Sequence, residues 1–227
     1  MAVTEALRAV AVYCASSPGN DPAYREAAYS VGRALASQKR PLVYGGGYKG
    51  IMGFVSDAVI DAGGEVTGVV PKAMVEAGGE GEKTSGDASA HGAPVVLDES
   101  KENVQTVIVG SMHERKVEMA KRSCAFVGLP GGFGTFEEVL EAVTWTQLGI
   151  HDKPVILVNV FGFWEPLRAL IEGSIASGFI RKDGDSLVIF VDGPEDHSKH
   201  AEYDWGTEVL QHIDSWKGGP KGFYKWT

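Results

Sequence analysis

Residues 124–138 read Cys124-Ala125-Phe126-Val127-Gly128-Leu129-Pro130-Gly131-Gly132-Phe133-Gly134-Thr135-Phe136-Glu137-Glu138. The first six have the apolar composition of a buried strand. Beyond the glycines, Phe136, Val139, Leu140 and Val143 are expected to make a buried helical stripe, and Glu137, Glu138, Glu141 and Thr144 fall off it. A strand therefore turns through glycines into an amphipathic helix. Glycines allow a tight turn and close backbone approach, and the helix N-terminus supplies N–H donors and partial positive charge. That combination makes a site for phosphate or another anion. With Glu137 and Glu138 in the first turn beside it, the stretch points to chemistry on a phosphorylated small molecule.

Outward from this stretch, strand and helix patterns alternate along the chain. Strands are expected at 10–14, 41–44, 65–70, 95–97, 154–160 and 187–191. Helices are expected at about 22–37, 51–62, 111–122, 164–177 and 204–216. Asp21-Pro22 supplies an N-cap and a first-turn proline, and Gly63-Gly64 closes the second helix. Apolar strands alternating with amphipathic helices specify an α/β fold: a doubly wound parallel sheet covered on both faces, in a single domain over 1–227. From 77 to 94 glycine, serine, alanine and glutamate dominate and no apolar period survives, which predicts a mobile surface insertion. Ligands of such sheets bind at the carboxyl ends of strands. Three strand ends carry Ser or Gly clusters: Ser16-Ser17, Gly45-Gly46-Gly47 and Gly131 to Gly134. All three should open onto one edge.

Composition narrows the function classes. The chain has 227 residues, with 21 basic against 30 acidic, a net charge of −9. That balance argues against a nucleic acid polymer as partner, because backbone binding needs basic surface, but a local basic site suffices for one small phosphorylated ligand. No apolar stretch approaches a membrane span and no signal peptide is recognisable. Cys14 and Cys124 both lie in apolar runs and read as buried reduced thiols. A cytoplasmic protein is the expectation.

Each motif has a bland reading beside the functional one. Gly45-Gly46-Gly47-Tyr48-Lys49-Gly50 matches G-x-G-x-x-G, but the next strand ends Val69-Val70-Pro71 without the acid a dinucleotide ribose requires. It is either a tight turn or a backbone contact to ligand, with Gly45 and Gly46 the candidates. Thr135 with Glu138 three residues later forms a capping box, which would make both structural. Met112-His113-Glu114-Arg115-Lys116 puts two cations in a first helical turn, against the macrodipole. Arg115 either pairs with Glu118 on a solvated face or contacts phosphate, for which its fork is suited. His197 and His200 form H-x-x-H without a third ligand, so no metal site is expected. No lysine sits in a context suggesting a pyridoxal Schiff base.

These residues resemble a known family. Val43-Tyr44-Gly45-Gly46-Gly47, Gly50-Ile51-Met52-Gly53, Met112-His113-Glu114-Arg115-Lys116, Pro130-Gly131-Gly132-Phe133-Gly134-Thr135-Phe136-Glu137-Glu138 and Thr144-Trp145-Thr146-Gln147-Leu148-Gly149 look like the Lonely Guy phosphoribohydrolases. The resemblance runs over about 10–191, and leaves the extension after 191 and the 77–94 insertion unmatched. It implies a Rossmann-like fold and hydrolysis of the N-glycosidic bond of N6-substituted adenosine 5′-monophosphates, giving free cytokinin base and ribose 5-phosphate. By the family pattern Arg115 and Glu138 are the catalytic pair. Gly131, Gly132, Gly134 and Thr135 hold phosphate, and Met112, Lys116, Glu137 and Thr144 match ligand-binding positions, to which the strand-end cluster adds Ser17. Glu99 is a candidate for a further acidic contact. The resemblance implies no metal or redox cofactor, and a homodimer or a higher oligomer built from dimers. Molybdenum-cofactor carrier proteins look similar in their Gly-rich loops, so a non-catalytic carrier on the same fold is the competing expectation.

Overall fold

The computed structural model describes residues 8–77, 103–182 and 184–219. Among these, seven parallel strands form one sheet. In chain order they are β1 (Val10–Tyr13), β2 (Leu42–Tyr44), β3 (Val66–Pro71), β4 (Val104–Val109), β5 (Ala125–Gly128), β6 (Val155–Val158) and β7 (Ile189–Val191). The helices between them are α1 (Pro22–Ser37), α2 (Gly50–Asp61), the short α3 (Lys72–Glu76), α4 (Met112–Arg122), α5 (Phe133–Leu148), α6 (Glu165–Ala176) and α7 (Trp205–Ser215).

The spatial order is β4-β3-β2-β1-β5-β6-β7. The chain winds outward from β1 to β4, then returns to lay β5 against β1. Val10 is paired with Leu42 on one side and Ala125 on the other. The winding direction therefore reverses between β1 and β5, and a crevice opens there at the carboxyl ends of the strands. The α/β fold and Rossmann-like sheet expected from the sequence are what the structure has.

The central strands are buried on both faces. Every residue of β1, β2, β5 and β6 is buried, which is why they read as continuous apolar runs. One apolar layer packs under α1, α2 and α7, with Val12, Leu35, Tyr44, Val55 and Trp205 among its members. The other packs under α4 and α5, with Tyr13, Met119, Phe126 and Val139. Asp21 caps α1 as expected, accepting from the Ala23 N–H at 2.8 Å.

Two details depart from the sequence expectations. β4 was not anticipated; its polar Gln105 and Thr106 interrupt the apolar run, and it lies at the sheet's edge, paired only with β3. The strand expected at 95–97, Glu99 and nearly all of the 77–94 insertion lie outside the described residues. The start of α5 is the second. Gly132, not Thr135, is its N-cap, and no side chain caps it. Thr135 is buried inside the first turn, so the Thr135/Glu138 capping box does not form. Two glycines with little steric demand let the helix begin earlier than the capping side chain suggested.

The segment after β7 is part of the same packing. Trp205 is fully buried, and α7 lies so close to α1 that a Cβ on Gly206 would sit 2.3 Å from the Ser30 carbonyl oxygen.

Candidate functional site

A cleft of about 870 Å³ occupies the crevice between the ends of β1 and β5. The start of α5 forms its floor. An α-helix leaves its first N–H groups without intrahelical acceptors. Here the first internal bond runs from the Phe136 N–H to the Gly132 carbonyl, 3.0 Å. The N–H groups of Phe133, Gly134 and Thr135 precede it with no side-chain cap. A Cβ on Gly131 would lie 2.1 Å from Thr135 Oγ1, so packing within the chain requires glycine at 131. On Gly132 or Gly134 a Cβ would meet nothing within 4 Å. Internal packing does not explain those two glycines; open space above an anion-binding helix end does.

The G-x-G-x-x-G turn behaves differently. The N-terminal donors of α2 are consumed by the loop after β1: Ile51 N–H reaches the Ser17 carbonyl at 3.3 Å and Met52 N–H the Ala15 carbonyl at 3.1 Å. Gly50 adopts φ +59, and a Cβ there would lie 2.4 Å from Ser16 backbone. The turn clamps the Ser16–Ser17 loop in place, and α2 has those donors no longer free for phosphate. Gly45 lines the cleft. Gly46, at φ +78, packs against Val70 and stays outside the lining.

Arg115 projects from the first turn of α4 into this floor and is only 4% exposed. Its Nε donates to the Val69 carbonyl at 3.0 Å and its Nη2 to the Gly45 carbonyl at 2.9 Å. Its Nη1 lies 4.0 Å from Glu138 Oε1. The expected alternative, a pair with Glu118, does not occur; Glu118 pairs with Arg122. A Cβ on Gly45 would fall 2.1 Å from Nη2, so glycine at 45 is what lets the guanidinium pass.

Glu138, one turn into α5, is half-buried and faces the cleft. Tyr13, at the end of β1, is buried behind it, and burial followed by the charges of Glu138 and Glu141 raises its phenol well above the ordinary value. Lys116 bridges Glu137 and Glu141. Burial works to lower its pKa, but hydrogen bonds to the two carboxylates outweigh it and the net shift is upward. It is held as a cation, the opposite of what an amine nucleophile needs.

Of the residues singled out from the sequence, Ser17, Gly45, Met112, Arg115, Gly131, Gly132, Gly134, Thr135, Glu137 and Glu138 line one cleft. Lys116 touches it through Glu137. Thr144 does not reach it: its hydroxyl donates to the Leu140 carbonyl at 2.8 Å on the exposed side of α5.

The sequence reading missed the cleft's aromatic wall. Phe161 and Phe163, in and just after the 3-10 turn that follows β6, and Tyr24 of α1 also line the cleft. Phe161 meets Tyr24 edge-on at 5.7 Å. It sits at φ 55, a left-handed conformation that costs a non-glycine residue about 1–2 kcal/mol. The rule that found the other loops, polar or glycine residues just past a strand end, applied equally to Phe161-Gly162-Phe163.

Comparison with known proteins bears on the family and the fold. The family model described as "Possible lysine decarboxylase" matches residues 52–200. A probable cytokinin riboside 5′-monophosphate phosphoribohydrolase of Oryza sativa subsp. japonica is 39% identical over 95% of this chain and 89% of its own length. A cytokinin riboside 5′-monophosphate phosphoribohydrolase of Arabidopsis thaliana is 41% identical over 83% of this chain and 80% of its own. Among solved structures, the molybdenum cofactor binding protein of Rippkaea orientalis superposes with a TM-score of 0.58 at 18% identity, covering 93% of this chain and all of that one. At that identity the likeness is one of fold.

Proposed function

We propose that this chain, which belongs to the Lonely Guy family of cytokinin riboside 5′-monophosphate phosphoribohydrolases, hydrolyses the N-glycosidic bond of N6-substituted adenosine 5′-monophosphates. The observation that carries the reading is the juxtaposition, in one cleft, of an uncapped helix N-terminus with the Arg115–Glu138 pair. The 5′-phosphate sits on the N–H groups of Phe133, Gly134 and Thr135, over the space that Gly132 and Gly134 leave open. That anchor sets the ribose against Glu138, one turn further along the same helix.

Breaking the C1′–N9 bond builds positive charge on the ribose, and a carboxylate stabilises such an oxocarbenium-like state. Glu138 supplies it. Water adds to C1′, the base leaves with a proton, and the products are free base and ribose 5-phosphate. Arg115 is fixed by two backbone carbonyls, so it holds its remaining nitrogen rigidly beside Glu138 without reorganising during the reaction. The aromatic wall of Tyr24, Phe161 and Phe163 is part of the cleft's apolar surface and receives the flat or apolar part of the nucleotide.

The carrier alternative is weaker, because storage without turnover has no use for a carboxylate held 4.0 Å from a buried arginine. Incubation with isopentenyladenosine 5′-monophosphate and with AMP, followed by chromatography, tests the reading: free base and ribose 5-phosphate should appear together. Tight binding with no product would turn the assignment to a carrier.

The active form is read as a homodimer. Phe133, Phe136 and Leu140 share one face of α5 and all three are exposed, Phe133 at 92%, so Phe136 and Leu140 depart from the buried stripe expected of them. Thr144 continues that face. Among the described residues no helix is long and apolar enough to cross a membrane, and the cytoplasmic reading is supported by Cys14 and Cys124 not being joined in a disulfide.

A further inference from the structure

The wall residue Phe161 is held by a histidine from another part of the chain. His200 lies after β7, 39 residues further on, and is 1% exposed. Its Nδ1 accepts from the Phe161 backbone N–H at 3.0 Å, and its Nε2 stands 2.8 Å from the Pro194 carbonyl. An N–H can only donate and a carbonyl only accept, so this ring carries its hydrogen on Nε2 and is neutral in this arrangement. Both ring nitrogens of His200 are thus occupied inside the chain.

The contact is more than one bond. The His200 and Phe161 rings stack, with centroids 5.2 Å apart and planes 2° from parallel. Trp205 Nε1 donates to the His200 carbonyl at 2.9 Å and fixes the histidine from behind. Phe161 takes a left-handed backbone conformation that its side chain disfavours. Such a conformation persists only where the surroundings over-determine it, and the bond from His200 to this residue's own N–H is one of the contacts that does so.

We infer that His200 is a positioning residue for substrate affinity: by holding the Phe161 backbone in its left-handed turn and stacking on its ring, it sets the aromatic wall of the cleft without touching the substrate. This rests on the phosphoribohydrolase reading for the identity of the substrate. The Arg115–Glu138 floor is built from other elements, so His200 acts on binding and leaves the chemical step alone.

The test uses the full chain and reads both turnover and AMP affinity by calorimetry. His200→Phe keeps the ring and removes the acceptor; KM for isopentenyladenosine 5′-monophosphate and Kd for AMP should each rise about tenfold with kcat within about twofold of wild type. His200→Asn keeps an acceptor near the Nδ1 position and should recover most of the affinity. Phe161→Leu should weaken binding similarly, and in the double variant His200→Phe/Phe161→Leu the effects should fall well short of additive, since one acts through the other. Additive effects, an unchanged KM and Kd in folded His200→Phe, or a fall in kcat at constant KM would each overturn the inference. Should wild type bind AMP but release no base, the enzymatic reading fails, and the calorimetric cycle alone decides the role of His200.

Discussion

Arg115 Nη1 lies 4.0 Å from Glu138 Oε1 while the same guanidinium's Nε and Nη2 are held by the carbonyls of Val69 and Gly45. Backbone carbonyls at the ends of β2 and β3 thus anchor the cation, and it faces a carboxylate on α5, the helix that Lys116 also ties to α4 through Glu137 and Glu141.

That arrangement separates two substitutions. Glu138→Gln keeps shape and hydrogen-bonding capacity but removes the charge that stabilises the developing ribosyl cation. Its kcat for isopentenyladenosine 5′-monophosphate should fall at least ~100-fold, with AMP still bound within a few-fold of wild type. Retention of full activity would remove Glu138 from the mechanism.

Arg115→Lys should damage stability as well as activity. A lysine has one nitrogen and no fork, so it cannot serve both carbonyls. Leaving a buried carbonyl unpaired costs about 1–3 kcal/mol. A lower unfolding midpoint in urea, together with lost turnover, is expected; Arg115→Lys that unfolds like wild type would show that the two carbonyl bonds matter little.

The glycines of the anion cradle should divide by role. Gly134→Ala adds a methyl group that meets nothing within the chain, so Tm should hold while phosphate and AMP affinity drop about tenfold or more. Gly131→Ala drives its Cβ into Thr135 and should lower Tm as well, by an overpacking cost of about 1–3 kcal/mol. Thermal melts with and without AMP distinguish the two.

Acid should destabilise the fold through His151. Burial, then the nearby Lys153 cation, pushes its pKa down from 6.5 to about 4. Below pH 6.5 the unfolded chain takes up a proton that the folded chain refuses, so stability falls as pH drops from about 6.5 to 4. The ring is only half-buried, so the loss is about 2 kcal/mol rather than the full linkage value. In His151→Gln this part of the pH dependence of Tm should vanish; a slope identical to wild type would assign it to other groups.

Truncation after Val191 should abolish the fold rather than trim it. Trp205 is fully buried and α7 contacts α1 through Gly206 and Ser30, whose hydroxyl accepts from the Gly206 N–H at 3.0 Å. Trp205→Ala in the full chain should cost about 3–5 kcal/mol, measured by denaturant unfolding.

Much of this protein is determined locally, and local features are legible in one chain. The strands at Val10, Leu42, Ala125 and Val155 are apolar because both faces are covered, and a run of that kind announces a parallel sheet without any partner being known. The Gly131–Thr135 turn likewise displays its anion site in its own residues. Tertiary structure decided what depends on distance between elements. The sequence could not tell whether Arg115 paired with Glu118 or reached a ligand, because its actual partners, Val69 and Gly45, are 46 and 70 residues away. It left Gly45–Gly50 open between a tight turn and a backbone contact to ligand; the packing of the Ser16–Ser17 loop on α2 consumed that helix's donors, while the start of α5 carries no side-chain cap. It gave no sign that Phe161 would be fixed by His200. Hydrogen bonds and charge pairs between remote segments are set by the sheet's winding order, which brings β1 and β5 together, and residue type alone does not carry that order.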